Sequence, residues 1–283
     1  MFTIYSLPLS GCDDIVKNDS KSRFNKELEA WRDDVKFHME YASRTTAIEE
    51  IRSCYETGAA TLDLSDLYLT SIPKEIGELA HLEKLNLKGN HLSSLPDSIY
   101  DLDHLKELNL SSNQLIFFSP RIGSFQNLEN LNLEGNEIKS LSEETFHLSN
   151  LKELSLEWNF LTSLPDELGN LQKLEKLHLS YNRLTLLPKG IGDLSLLKEV
   201  YLRGNQLESL PEDFFHLKKL RTLDLAENRF EELSDRIGEL ENLEFLCIEM
   251  NSITELPDGI GSLGKLEHIQ LIENQRLPIF DVW

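Results

Sequence analysis

The sequence predicts an α/β solenoid: short strands stacked into one parallel sheet, led by an α-helical cap. Three observations predict it. Leu82, Leu105, Leu128, Leu151, Leu174, Leu197, Leu220, Leu243 and Leu266 recur every 23 residues. Each opens the same phrase, and one full copy reads LEKLNLKGNHLSSLPDSIYDLDH, Leu82 to His104. An asparagine follows at a fixed distance: Asn90, Asn113, Asn136, Asn159, Asn182, Asn205, Asn228, Asn251 and Asn274. A fixed period of this length means units that bury their apolar faces only against one another.

The strand comes first in each unit. In LEKLHL, Leu174 to Leu179, Leu177 and Leu179 alternate with polar residues, the period of a strand with one buried face. Parallel stacking puts outward residues in columns about 4.8 Å apart. The chain then turns inward, where buried backbone groups need partners. An asparagine amide both donates and accepts, so the ladder reads as structural. The second half carries Leu-Pro, as in Leu95-Pro96, Leu164-Pro165, Leu187-Pro188, Leu210-Pro211 and Leu256-Pro257, where the preset φ suits a bend. Gly77, Gly123, Gly169, Gly192, Gly238 and Gly261 share one place, near the end of a compact helical turn. Tyr100, Phe146 and Phe215 replace that glycine and read as local variation of the convex side.

L-x-x-L-x-L-x-x-N followed by L-P-x-x-I-G-x-L is similar to the leucine-rich repeat, in the form found in intracellular Ras-group scaffolds and many bacterial proteins. That resemblance implies a horseshoe with a parallel concave β-sheet of about ten repeats, over residues 59–283. The first strand, Ala59 to Leu64, keeps the spacing, but Leu67 stands where asparagine is expected, as in a terminal capping repeat. The last repeat is cut short at Leu266 to Trp283, and its RLPIFDVW is apolar enough to close the core edge crudely.

Ahead of the repeats, residues 1–23 read as a flexible N-terminal segment, polar from residue 13, and 24–58 as the helical cap. Leu28, Trp31, Val35 and Met39 fall at helical steps. A second helix is predicted from Thr46, because Thr46-Ala47-Ile48-Glu49 has capping-box spacing. Ile48, Ile51 and Tyr55 form its apolar face and Gly58 its stop. Trp31, at helical spacing beside leucines, reads as core. The order of a tryptophan helix, AIEEIRSCYETG and AATLDLSDLYLTSIP resembles the cap of bacterial LPX-type effectors delivered by type III secretion. That resemblance implies a bacterial protein aimed at a host factor, cytoplasmic before secretion and in the host cell after delivery. The repeats depart from that family, whose units are nearer about 20 residues.

Charge narrows the partners. A net charge of −21 over 283 residues should repel nucleic acid and anionic membranes, which leaves proteins, basic ones in particular. Cys12, Cys54 and Cys247 are odd in number and widely spaced, against a disulfide framework or a zinc site. No run reaches the ~18 apolar residues that span a bilayer. Leu9-Ser10-Gly11-Cys12 resembles the bacterial lipoprotein signature, which gives an alternative: a surface lipoprotein or adhesin anchored through Cys12. A second alternative is the substrate-recognition part of a bacterial ubiquitin ligase, its catalytic domain absent from a chain ending at Trp283. No P-loop, G-x-G-x-x-G, H-E-x-x-H or G-x-S-x-G is present, so no enzyme and no cofactor are predicted.

The inward wall can be read column by column. Glu83, Lys106, Glu129, Lys152, Glu175 and Lys198 alternate in sign, and Lys84, Glu107, Asn130, Glu153, Lys176 and Glu199 alternate in the opposite phase, broken once at Asn130, an expected ion-pair lattice. Beyond them, small polar residues give way to aromatics at the fifth to seventh repeats. Trp158 and Tyr181 hold one place in adjacent repeats, with His178 and Tyr201 beside them, Arg203 one strand over, and Phe160 and Arg183 at the rim. Clustered exposed aromatics and arginine mark interface hot spots. The expectation is a non-catalytic, monomeric module binding a partner protein through Trp158, Phe160, His178, Tyr181, Tyr201 and Arg203. Phe245, Cys247 and Met250 form a weaker second cluster.

Overall fold

A computed structural model describes residues 10–35 and 38–274, with side chains from residue 19 to 35 and from residue 40. Two helices, α1 (Ser10–Asp33) and α2 (His38–Thr57), precede ten three-residue strands. These are β1 (Thr61–Asp63), β2 (Lys84–Asn86), β3 (Glu107–Asn109), β4 (Asn130–Asn132), β5 (Glu153–Ser155), β6 (Lys176–His178), β7 (Glu199–Tyr201), β8 (Thr222–Asp224), β9 (Phe245–Cys247) and β10 (His268–Gln270). They form one open, horseshoe-like parallel sheet in chain order. Every pairing steps by one repeat, so Leu154 faces Leu177 and His178 faces Tyr201.

The core runs the length of the coil. Leu151, Leu154 and Leu156 and their counterparts from β2 to β9 are buried, while Leu266, Ile269 and Leu271 of the last repeat are partly buried. The asparagines tie successive turns together. Asn159 Nδ2 donates to the carbonyls of Leu133 at 2.9 Å and Leu156 at 3.2 Å, and Oδ1 accepts from Ile138 N at 3.0 Å. One amide thus satisfies backbone groups of two repeats.

Convex turns are five-residue 3-10 helices such as Lys74–Glu78 and Lys189–Asp193. Most start after an extended proline; of the three serines that replace it, Ser119 and Ser234 Oγ accept from Arg121 N at 3.2 Å and Arg236 N at 3.3 Å, and Ser142 makes no such bond. The shared glycine has a packing reason, since a Cβ at Gly192 would lie 2.3 Å from Asp213 O of the next turn. Tyr100, Phe146 and Phe215 are buried in the core instead, and the turns carrying them pack less closely on their successors. They are wedges in the convex wall, more than surface variation.

The cap departs from expectation in two places. The polar stretch after residue 9, read as flexible, is helical from Ser10; its sequence lacks a recurring apolar stripe, so periodicity detects the helix only from Phe24. The second helix begins at His38, and Thr46 lies inside it, its hydroxyl donating to Ala42 O at 3.4 Å. Phe24 stacks on Tyr55 at 4.1 Å, and Leu28, Ile48 and Ile51 are buried beside β1. Trp31 packs on this core, donates Nε1 to Ser71 Oγ at 3.2 Å and lies 4.7 Å beneath Arg44. Cys12 falls in α1, but its side chain, like residues 1–9 and the closing RLPIFDVW, lies outside the described residues.

Candidate functional site

The inner wall divides along its length. In the first half the middle column is Asp63, Asn86, Asn109, Asn132 and Ser155, and these short side chains leave a trough of about 430 Å³ ending at Ser155. In the fifth to seventh repeats the same columns rise into rings. Trp158 stacks on Tyr181 with centroids 3.9 Å apart and planes 17° from parallel. His178 stacks on Tyr201 at 4.8 Å and 12°. Each pair joins equivalent positions of neighbouring strands; the second separation matches strand spacing, and in the first the rings close in to stacking distance. Arg183 lies 4.5 Å over the Phe160 ring. Trp158 is 56% exposed; Phe160, His178, Tyr181, Tyr201 and Arg203 are half-buried.

Backbone geometry singles out the Trp158 column. Asp66, Gly89, Ser112, Gly135, Trp158, Tyr181, Gly204, Glu227, Met250 and Glu273 all have positive φ, between 50° and 69°. This is the left-handed turn that swings the following asparagine inward. Side chains there cost ~1–2 kcal/mol against the right-handed form, and bulky ones are rare. Glycine holds the place at positions 89, 135 and 204, yet the chain keeps an indole and a phenol at 158 and 181. The alternation of glycine with other residues in this column was the available sequence signal for the left-handed turn.

Polar groups around the rings are mostly paired within the site. Arg203 donates Nε and Nη2 to Glu227 Oε1 at 2.9 and 2.7 Å, which holds its guanidinium charged. The sequence reading offered Arg203 as a contact; the structure ties it to a carboxylate. Tyr201 OH donates to Glu199 Oε2 at 3.0 Å, and burial beside that carboxylate pushes its pKa up to about 12. The His178 ring lies between Glu153, 3.6 Å from Nε2, and Glu157, 3.9 Å from Nδ1. Its Nε2 is buried without a hydrogen bond. The surplus charge around the rings is negative.

The flanking columns form the expected lattice: Lys106–Glu83 at 2.9 Å, Lys152–Glu129 at 2.7 Å and Lys198–Glu175 at 2.6 Å in one, Lys84–Glu107 and Lys176–Glu199 at 2.7 and 3.2 Å in the other. The second cluster does not assemble as an exposed group. Cys247 is buried, its thiol pushed up to about 11, because a short side chain in the middle column is covered by its neighbours. Met250 alone of the three is exposed, at 41%. Among the described residues no group of three His, Cys, Asp or Glu could hold a metal, and no helix is long and apolar enough to cross a membrane. Rings and carboxylates of this kind can stack on flat groups and attract cations.

Known proteins agree with this architecture. The family model for a leucine-rich repeat region matches residues 61–159 and 185–280, and the single-repeat model matches 150–171 and 173–194. No curated protein matches the chain. Among solved structures it is similar to a leucine-rich-repeat protein of Leptospira interrogans, at 37% identity over 72% of this chain and 58% of that one, with a TM-score of 0.65. It is similar to the ectodomain of the Arabidopsis thaliana membrane receptor kinase GASSHO1/SCHENGEN3, solved with CASPARIAN STRIP INTEGRITY FACTOR 2, at 30% identity over 77% of this chain and 27% of that one, TM-score 0.67. InlJ of Listeria monocytogenes shares the fold at 19% identity over 83% of this chain and 61% of that one, TM-score 0.61. The chain therefore spans about three-fifths of the Leptospira protein's solved length and about a quarter of the receptor's. With the repeat-region model covering well over half its residues, the chain belongs to the leucine-rich-repeat family, whose members commonly serve as protein-interaction modules.

Proposed function

We propose that this chain is a monomeric, non-catalytic recognition module of bacterial, effector-like type. It binds a basic partner protein on its concave face, at Trp158, Phe160, His178, Tyr181, Tyr201 and Arg203. One observation carries the reading: an exposed indole is held stacked on Tyr181 from a left-handed backbone position where other repeats carry glycine. Nothing in folding requires a large ring there, and strained positions of this kind concentrate at functional sites. The receptor-kinase ectodomain solved with its ligand, and the peptide hormone receptor RGFR1 solved with RGF2, at 27% identity, are consistent with ligand binding by this architecture. The bacterial neighbours and the cap's likeness to LPX-type effectors favour a bacterial origin and action in a host cell.

A photo-crosslinking residue at position 158 tests this in host and bacterial lysates, followed by titration calorimetry with the captured protein. Trp158→Ala is expected to leave the fold intact and weaken that protein's binding by ~2 kcal/mol or more, about 30-fold. Unchanged affinity in both Trp158→Ala and Tyr181→Ala would reject the site.

A further inference from the structure

The Trp158–Tyr181 stack has one covered end and one open end. On the Tyr181 side the ring leans over Gly204, since a Cβ at 204 would lie 2.5 Å from Tyr181 Cδ1. On the other side the equivalent residue is Gly135, where the atoms nearest a Cβ would be those of Ser112, at an ordinary 3.6 Å. Because the stack runs along the coil axis, the outer face of the indole looks across this gap. Among the described residues no other ring and no cation lies on that face. Gly135 and Ser112 form the floor of the slot, and the half-buried Glu134 and Glu157 directly precede Gly135 and Trp158 in the chain. Glu134 has no ion pair among the described residues, and the nearest group to Glu157 in such a pair is His178, at 3.9 Å.

We infer that this slot takes an arginine side chain of the partner, its guanidinium flat on the open face of Trp158 and hydrogen-bonded to Glu134 and Glu157. The inference deepens the recognition reading above and rests on it. Arginine is favoured over lysine because a planar guanidinium stacks on an indole and presents several donors in one plane to carboxylates. Charge supports the same occupant. The site's own arginines are engaged, Arg203 by Glu227 and Arg183 by Phe160, which leaves the slot's carboxylates uncompensated in a chain of net charge −21.

The probes are N-acetylarginine amide and its neutral isostere N-acetylcitrulline amide, titrated into the full chain and followed by the NMR signal of the Trp158 indole N–H. That signal is assigned by its loss in Trp158→Phe. The arginine probe should shift the signal with a Kd on the order of 10 mM, and the citrulline probe should bind at least ~10-fold more weakly. Gly135→Asn fills the slot at a left-handed position that asparagine tolerates, and should abolish the shift while leaving the melting curve in place. Glu134→Gln with Glu157→Gln should weaken it by about 5-fold or more. Equal binding of the two probes, no shift at about 50 mM arginine probe, or a shift surviving Gly135→Asn would overturn the slot. If the captured protein still needs Trp158 but the arginine probe fails, the slot falls and the recognition site stands. If the probe binds but nothing crosslinks at 158, the slot stands and protein recognition falls.

Discussion

Repeats two to four and repeats five to seven present the same backbone in the same register, yet their inner walls differ. The first half carries Asn86, Asn109 and Asn132 over a trough; the second carries Trp158, His178, Tyr181 and Tyr201 in two parallel stacks. Beneath both runs one asparagine ladder, and beside both lies one ion-pair lattice. The frame therefore does not account for the rings. Adjacent residues make the division sharp: Asn159 points inward and closes three backbone hydrogen bonds, while Trp158, one residue earlier, points outward and closes none with its side chain.

The largest expected effect tests whether the frame is as uniform as this comparison requires. Asn113 lies under the polar half and Asn182 under the aromatic half. Asn113 Nδ2 donates to Leu87 and Leu110 carbonyls at 3.0 Å, and Asn182 Nδ2 to Leu156 and Leu179 at 2.8 and 3.1 Å. Each Oδ1 accepts a backbone N–H at 3.0 Å, from Leu92 and Leu161. Asn113→Ala and Asn182→Ala should each cost about 3 kcal/mol in urea unfolding, at roughly 1 kcal/mol for each lost hydrogen bond. A large gap between the two would mean that the rings themselves support the coil, and the two halves would no longer share one frame.

Much of this was legible because a repeat constrains itself. The leucine period fixed the strand positions, the asparagine period fixed the inward turn, and the sign alternation of Glu83, Lys106 and Glu129 predicted pairs that form. What escaped lacks periodicity or depends on backbone sign. Residues 10–23 are helical without an apolar stripe, and Thr46 matches a cap motif in mid-helix. Strand alternation sends Cys247 toward the inner wall, but its neighbours cover so short a side chain. The ring cluster was visible as letters in columns; the stacking, the left-handed backbone beneath Trp158 and the pairing of Arg203 with Glu227 required coordinates.

A smaller effect separates strain from stacking across the two halves. Ser112 and Trp158 hold equivalent left-handed positions, with φ of 55° and 54°. Ser112→Gly should raise stability by about 1 kcal/mol, the left-handed penalty less the entropy of added glycine. Trp158→Gly relieves the same penalty but loses the stack on Tyr181, worth ~0.5–1.5 kcal/mol, so its net change should lie near zero. Equal gains in the two variants would show that the Trp158–Tyr181 pair contributes nothing to folding in solution.

A further effect lies at high pH and is tied to Tyr201 in the aromatic half. Tyr201 is held neutral to about 12 by burial and by the Glu199 carboxylate that accepts its hydrogen bond. In the unfolded chain a tyrosine ionises near ~10. Below that pH both states keep the proton and the contribution to stability is complete. As pH rises from about 10 toward 12, the unfolded state releases its proton while the folded state retains it, so the fold loses stability across that window. Tyr201→Phe has no proton to lose there, and its stability should fall less steeply than that of the unmodified chain between those limits. Urea unfolding at several pH values measures it, and parallel curves for Tyr201→Phe and the unmodified chain would mean that the Tyr201–Glu199 hydrogen bond does not persist in solution.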